Sequence, residues 1–194
     1  MRRNVAILLF DEVEVLDFAG PFEVFAVTDS LRSNEVFKVV TVGLVPGAVR
    51  ARNGLRVIPD YNLDDCPQPH VLVVPGGWGT RPLLGNPVLI EWIRKRSRDA
   101  EVTMSVCTGS LLLAKAGLLD GMRITTHHGA VDLLRELAPR STVDPGARFH
   151  DNGGVLTSAG ISAGIDCSLH LVGRLLGDEV AAATASHMEY ERRS

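Results

Sequence analysis

The stretch that most restricts the fold is Val102-Thr103-Met104-Ser105-Val106, followed at once by Cys107-Thr108-Gly109-Ser110 and then Leu111-Leu112-Leu113-Ala114-Lys115-Ala116-Gly117. The first five residues are a short β-rich run without turn formers, which is how a buried parallel strand reads. The last seven are good helix formers that stop at Gly117, a natural C-terminal glycine. Between them the chain turns sharply with Cys107 on the turn, and Gly109 removes a side chain that would crowd it. The pattern is that of a nucleophile elbow with sulfur in place of oxygen. A cysteine at a helix N-terminus feels the positive end of the dipole and unpaired N–H groups, so a lowered thiol pKa is expected. Free cysteine is also a common small buried hydrophobe, and the pattern alone leaves both roles open.

The same alternation runs through the rest of the chain. Val5 to Phe10, Val36 to Leu44 and His70 to Val74 read as further strands. Asp17 precedes a helix over Phe18 to Ala26 and is expected to cap it, with Pro21 tolerated in the first turn. Val49 to Val57 alternates about Asn53-Gly54, and Arg148 to Ser158 is built on Asn152-Gly153; both predict hairpins. Asn86 to Arg98 predicts a helix burying Leu89, Ile90 and Ile93, with Arg94, Lys95, Arg96 and Arg98 mostly solvated. Ala130 to Leu137, Ile165 to Leu176 and Asp178 to Tyr190 predict three more helices, and Cys167 and His170 fall within the second of these.

Three motifs carry chemistry. Pro75-Gly76-Gly77-Trp78-Gly79-Thr80 leaves a strand without the G-x-G-x-x-G dinucleotide pattern. It reads as a plain turn, or, because Cys107 ends the next strand, as an oxyanion-binding turn using the N–H groups of Gly76 and Gly77. Arg123 to His128 predicts a short strand whose end returns His127 to the carboxyl edge of the sheet, beside Cys107. His127 is there a base for the thiol or a cap for the next helix; His127-His128 has no metal-ligand spacing. Gly160-Ile161-Ser162-Ala163-Gly164 matches the serine-hydrolase elbow. The residues after it look helical and offer no acid and histidine in the required order, so Ser162 is read as a decoy.

The 194 residues suggest one domain, residues 1–194, with a sizeable core. A net charge of −3 without a large Lys/Arg block points away from nucleic acid and anionic membranes. The first apolar run is too short for a signal peptide and is followed at once by Asp11, Glu12 and Glu14. No run reaches transmembrane length. Cys66, Cys107 and Cys167 are far apart and odd in number, which fits free thiols in a cytoplasmic protein.

Leu16-Asp17-Phe18-Ala19-Gly20-Pro21-Phe22-Glu23-Val24, Pro75-Gly76-Gly77, Ser105-Val106-Cys107-Thr108-Gly109-Ser110, Ala116-Gly117-Leu118-Leu119-Asp120-Gly121, Thr125-Thr126-His127 and Gly160 to Asp166 together resemble the ThiJ/PfpI superfamily. The likeness covers nearly all of the chain. It implies an α/β three-layer sandwich with a mostly parallel central sheet, flavodoxin-like and class I glutamine amidotransferase-like, and a homodimer; Val15, Phe18, Phe22 and Phe25 are the candidate contacts. Within the superfamily the chain is most similar to isocyanide (isonitrile) hydratases, which have Asp rather than Glu at the position of Asp17 and Thr at that of Thr108. This implies a cofactor-independent, metal-free enzyme that adds water to a small-molecule isocyanide to give an N-substituted formamide. By resemblance Cys107 is the nucleophile, Asp17 its acidic partner and Thr108 the third member of the centre, with Gly76, Gly77, His127 and Ile161 around the substrate. The same core occurs as the N-terminal domain of AraC-type regulators, so a ligand- or redox-sensing domain is the alternative outside catalysis. A glyoxalase or amide-hydrolysing activity is the alternative within it.

Overall fold

The computed structural model describes residues 2–193. Strand β1 (Arg3–Leu9) leads into helix α1 (Val15–Leu31) and strand β2 (Phe37–Gly43). A short hairpin of β3 (Val49–Arg50) and β4 (Arg56–Val57) follows, then β5 (Tyr61–Asn62) and β6 (Val71–Val74). Helices α2 (Thr80–Leu83) and α3 (Pro87–Arg98) precede β7 (Val102–Val106) and α4 (Gly109–Lys115). The chain continues through β8 (Arg123–Ile124), α5 (Val131–Leu137), β9 (Thr142–Val143), β10 (Phe149–Asp151) and β11 (Val155–Ser158), and the described part closes with α6 (Ala163–Leu176) and α7 (Asp178–His187).

Seven strands form the central sheet in the order β10-β11-β7-β6-β1-β2-β5. Every neighbouring pair is parallel except the β10–β11 hairpin. The inner strands are enclosed: all of β6 and β7 is buried, Thr103 and Ser105 included, as is β1 from Val5 on. Helices α1, α6 and α7 pack together on one face, and α2, α3, α4 and α5 on the other, which gives three layers. On the second face Asn86 caps α3 by accepting the Leu89 N–H at 3.1 Å, and Leu89, Ile90 and Ile93 turn inward as their spacing requires. Two of the basic residues of α3 are not merely solvated. Arg94 donates to the Ala116 carbonyl and Arg96 to that of Cys66, both at 3.0 Å, and they tie the helix to its neighbours.

The order of the strands explains where a site forms. From β1 the chain moves outward to β2, then returns to the other side of β1 and builds β6, β7 and β11 in succession. The connections reverse between β1 and β6, and the loops at that point splay apart to leave a crevice at the carboxyl ends. Register keeps those ends level: Val74 is opposite Ser105, and Val106 opposite Ser158. Gly76, Cys107 and Gly160 therefore leave the sheet at one edge, and α1, entered just after β1, brings Asp17 to the same place.

Three expectations need correction. Helix α1 starts at Val15, and Glu14 occupies the cap position without a side-chain cap bond. Asp17 lies inside the first turn, so Pro21 falls in the second. There its missing N–H deprives the Asp17 carbonyl of its helical donor. Strand β8 does not join the central sheet; it pairs with β9 in a separate two-stranded ladder. Of the residues expected at a dimer contact, Phe25 is fully buried and Phe18 nearly so, packed in the core of this chain. Phe22 remains exposed, together with Leu16.

Candidate active site

The turn at Cys107 is tight because the backbone is. Its φ is 56°, in the left-handed region that costs a side-chain-bearing residue about 1–2 kcal/mol. The surroundings hold it there. The Cys107 N–H donates to the Ser158 carbonyl at 3.1 Å, and its carbonyl accepts from Thr126 Oγ1 at 2.9 Å and from Ser110 Oγ at 3.2 Å. A methyl group on Gly109 would stand 2.0 Å from the Val74 carbonyl oxygen, so helix α4 can start this close to β6 only with glycine there.

Beneath the sulfur, Asp17 is wholly buried. One carboxyl oxygen accepts the Gly76 N–H at 3.0 Å. The other is buried without a well-aligned partner among the described residues, although the thiol is close enough to hydrogen-bond the carboxyl. Hydrogen bonds at catalytic pairs are often poorly aligned until substrate is bound. Thr108 forms the third corner. Its hydroxyl accepts the Gly77 N–H at 2.9 Å and lies 3.1 Å from both the Gly77 carbonyl oxygen and the Thr80 hydroxyl. A Cβ on Gly76 would stand 2.5 Å from the Thr108 nitrogen and 2.9 Å from the Asp17 carboxyl, so the glycine keeps the three corners in contact. Both turn N–H groups are thus spent within the protein, Gly76 on Asp17 and Gly77 on Thr108. Neither is free to receive a developing oxyanion, contrary to the oxyanion-turn reading.

The charges follow from burial. Desolvation pushes the Asp17 carboxyl up to about 7, against the pull of the Gly76 N–H and the thiol. The Cys107 thiol is also pushed well above its ordinary value, first by burial and then by the Asp17 charge, while the Thr108 N–H acts the other way. This reverses the expected lowering: the short helix α4 and one N–H do not offset the burial of the sulfur beside the Asp17 carboxyl. His127 is pushed below its ordinary value by burial, by His128 and by Arg81. Its Nδ1 accepts the Gly129 N–H at 3.1 Å, so the neutral ring carries its proton on Nε2 and can only donate from that edge. The helix-cap role considered for His127 is the one the geometry displays.

Cys107 opens into a pocket of about 240 Å³. Gly77, Thr108, His127 and Ile161 line it as expected, and Glu14, Trp78, Arg81 and Gly129 join them. Gly76 and Asp17 are not among its lining residues; Asp17 stays buried beside the sulfur. Gly160 forms a close floor: a Cβ there would meet His127 Cδ2 at 2.3 Å and Cys107 Sγ at 3.3 Å. Ser162 is exposed, and its hydroxyl accepts from Arg148 at 3.3 Å rather than facing a histidine. Sequence reasoning missed Arg81, Glu14 and Gly160. Each follows the carboxyl end of a parallel strand, where ligand-contacting groups concentrate; nothing in the local pattern singles out Arg81 or Glu14, whereas Gly160 stands in the Gly160-Ile161-Ser162-Ala163-Gly164 motif and is overlooked because that motif points to Ser162. Among the described residues no group of three or more His, Cys, Asp or Glu is arranged to hold a metal ion, and no helix is long and apolar enough to cross a membrane.

Comparison with known proteins agrees with this architecture. The chain is 38% identical over 190 residues to an isonitrile hydratase of Pseudomonas putida, covering 98% of this chain and 79% of that one. It is 30% identical to the HTH-type transcriptional regulator GbdR of Pseudomonas aeruginosa over 98% of its own length, and it spans about half of that longer protein, 51%. A ThiJ/PfpI family protein from Pseudomonas syringae superposes with a TM-score of 0.88 at 27% identity, over 100% of this chain and 77% of that one. The model of the DJ-1/PfpI family matches residues 3–174. The fold, the cysteine elbow and these matches agree, and the chain belongs to the DJ-1/PfpI family.

Proposed function

We propose that the protein is a cofactor-independent isocyanide hydratase in which Cys107 and Asp17 act as one unit. The observation that carries the reading is geometric: the elbow cysteine Cys107 is paired with the wholly buried carboxyl of Asp17, which the Gly76 N–H holds in place and whose pKa is pushed up by burial. A general base works best with a pKa near the operating pH, and Asp17 is tuned there by its burial. The hydratase relative, 38% identical over nearly the whole chain, supports the choice of substrate class.

In the proposed sequence Asp17 takes the thiol proton while sulfur attacks the terminal carbon of R–N≡C. That carbon then receives the proton from Asp17, giving the thioimidate R–N=CH–S. Water adds to the same carbon, with one proton going to nitrogen. The carbon–sulfur bond breaks, and the remaining hydroxyl proton returns to sulfur through Asp17. The products are R–NH–CHO and the free thiol, so atoms and charges balance. Thr108 positions the turn rather than reacting: its hydroxyl holds Gly77, and its N–H lies beside the sulfur. Neutral His127 acts as a donor at the pocket wall, which disfavours the glyoxalase or amidase alternatives that need it as base.

The test is turnover of a panel of alkyl and aryl isocyanides, methylglyoxal and simple amides, with Cys107→Ala as control. The reading expects formamide from isocyanides, lost in the variant. If no isocyanide is hydrated, the reading fails, and the ligand-sensing alternative suggested by the regulator relative takes its place.

A further inference from the structure

Arg81 stands out among the charged groups around the pocket. It lines the pocket, and among the described residues its side chain has no hydrogen-bond or ion-pair partner. Its neighbours are otherwise. Glu14, the one carboxylate on the pocket wall, lies 4.0 Å from Arg52, and Arg52 also reaches Glu12 at 3.3 Å. Arg148, in the wider groove beyond His127 and Ile161, is neutralised by the buried Asp166. His127 is held neutral, in part by the Arg81 charge itself. Among the described residues, Arg81 is therefore the one cation lining the Cys107 pocket whose side chain has no direct hydrogen-bond or ion-pair partner.

Arg81 is also held in place. Its guanidinium lies over the exposed indole of Trp78, 5.0 Å from the ring centroid, and Arg52 takes a second position 5.6 Å from the same ring. Stacking uses the flat face of a guanidinium and leaves its N–H edge free, the edge that fits a carboxylate in two parallel hydrogen bonds. A guanidinium that has lost rotamer freedom to stacking gives up less on binding. The neutral His127 supplies a further N–H donor on the same wall.

We propose that the pocket selects isocyanides that carry a carboxylate, and that Arg81 on its Trp78 platform is the specificity-determining residue that binds it. This names the substrate class of the hydratase reading and rests on it for turnover, although the carboxylate site itself does not depend on catalysis. With Cys107 and Arg81 lining the same pocket of about 240 Å³, the fitting molecule is small, an isocyanide separated from its carboxylate by a short linker.

The experiment has two arms. In the first, kcat/KM is measured for isocyanoacetate and its methyl ester with the wild-type protein, Arg81→Gln and Arg81→Lys. Charge-assisted hydrogen bonds of this kind are worth about tenfold to a hundredfold, so the wild type prefers the acid by that ratio. The ratio falls toward one in Arg81→Gln, is partly kept in Arg81→Lys, and shrinks as salt is raised. Equal turnover of acid and ester by the wild type, or a preference that survives in Arg81→Gln, overturns the proposal. In the second arm, calorimetry compares N-formylglycine with its methyl ester on Cys107→Ala and on Cys107→Ala with Arg81→Gln. Binding of the acid over the ester that is lost with Arg81→Gln supports the site; no preference refutes it. If the wild type hydrates other isocyanides but neither of these two, the proposal falls and the hydratase reading stands; if it hydrates no isocyanide at all, the hydratase reading falls and the second arm alone decides the carboxylate site.

Discussion

Replacing Asp17 with Asn separates the cost of a buried charge from everything else the residue does. In the unfolded chain the carboxyl ionises near 3.8; in the folded protein burial moves it to about 7. Below about pH 4 both states hold the proton and Asp17 contributes nothing to the pH dependence. As pH rises from there to about 7 the unfolded chain releases the proton while the folded one must keep it, so stability falls. The loss is about 1.4 kcal/mol per pH unit, roughly 4 kcal/mol in all, and it levels off above pH 7. The amide of the variant has no proton to lose and still offers an oxygen to the Gly76 N–H; any fixed penalty it carries is the same at every pH. Urea unfolding of wild type and Asp17→Asn at several values from about pH 4 to 8, with m-values compared, reads the difference directly. The variant should gain on the wild type steadily across that window, by roughly 4 kcal/mol from its lower to its upper end. A difference that is flat in pH, or that moves in favour of the wild type as pH rises, would mean the carboxyl is not held protonated by burial.

Other consequences are read by simpler assays. Thr108→Val leaves the buried Gly77 N–H without an acceptor, an expected loss of about 2 kcal/mol, or roughly 4–8 °C in Tm for a chain of this size; Thr108→Ser should lose clearly less, and equal losses would refute the hydroxyl's role. Gly160→Ala drives a methyl into the His127 ring and against the sulfur. Displacements of about 1 Å near reacting atoms cost as much as a hundredfold, so kcat/KM for an isocyanide should fall by at least about tenfold while the fold, read by circular dichroism, is kept. Iodoacetamide mapping should label Cys107, which opens into the pocket, before Cys66 and before the fully enclosed Cys167; burial pushes all three thiols up, so access sets the order. The Cys107 rate should keep climbing through pH 9, and a plateau near pH 7 would restore the lowered thiol that the elbow pattern suggests.

Most of the framework is legible in the sequence because it rests on local pattern. Val71–Val74 and Val102–Val106 can be nothing but interior strands, and the Asn-Gly pairs at Asn53 and Asn152 mark both hairpins. What is not legible depends on contacts distant in sequence. Asp17 has the sequence context of a cap; only the Gly76 N–H, 59 residues away, draws it inward. The strand before His127 looks like any edge strand, yet it pairs with β9 outside the main sheet. His127 still reaches the pocket, anchored in part by the bond from Thr126 to the Cys107 carbonyl. The direction of the thiol shift differs from the expected one because a helix N-terminus is visible in sequence and desolvation is not. Arg81 becomes notable only once every other charge near the pocket is seen to have a partner.

The central claim, that Asp17 and not His127 moves the proton for Cys107, is tested most directly by kcat for one alkyl isocyanide in Asp17→Asn and His127→Ala, each checked for folding. The account predicts that Asp17→Asn loses most of kcat, since the amide cannot exchange a proton, and that His127→Ala loses much less. An inactive His127→Ala beside an active Asp17→Asn would contradict it.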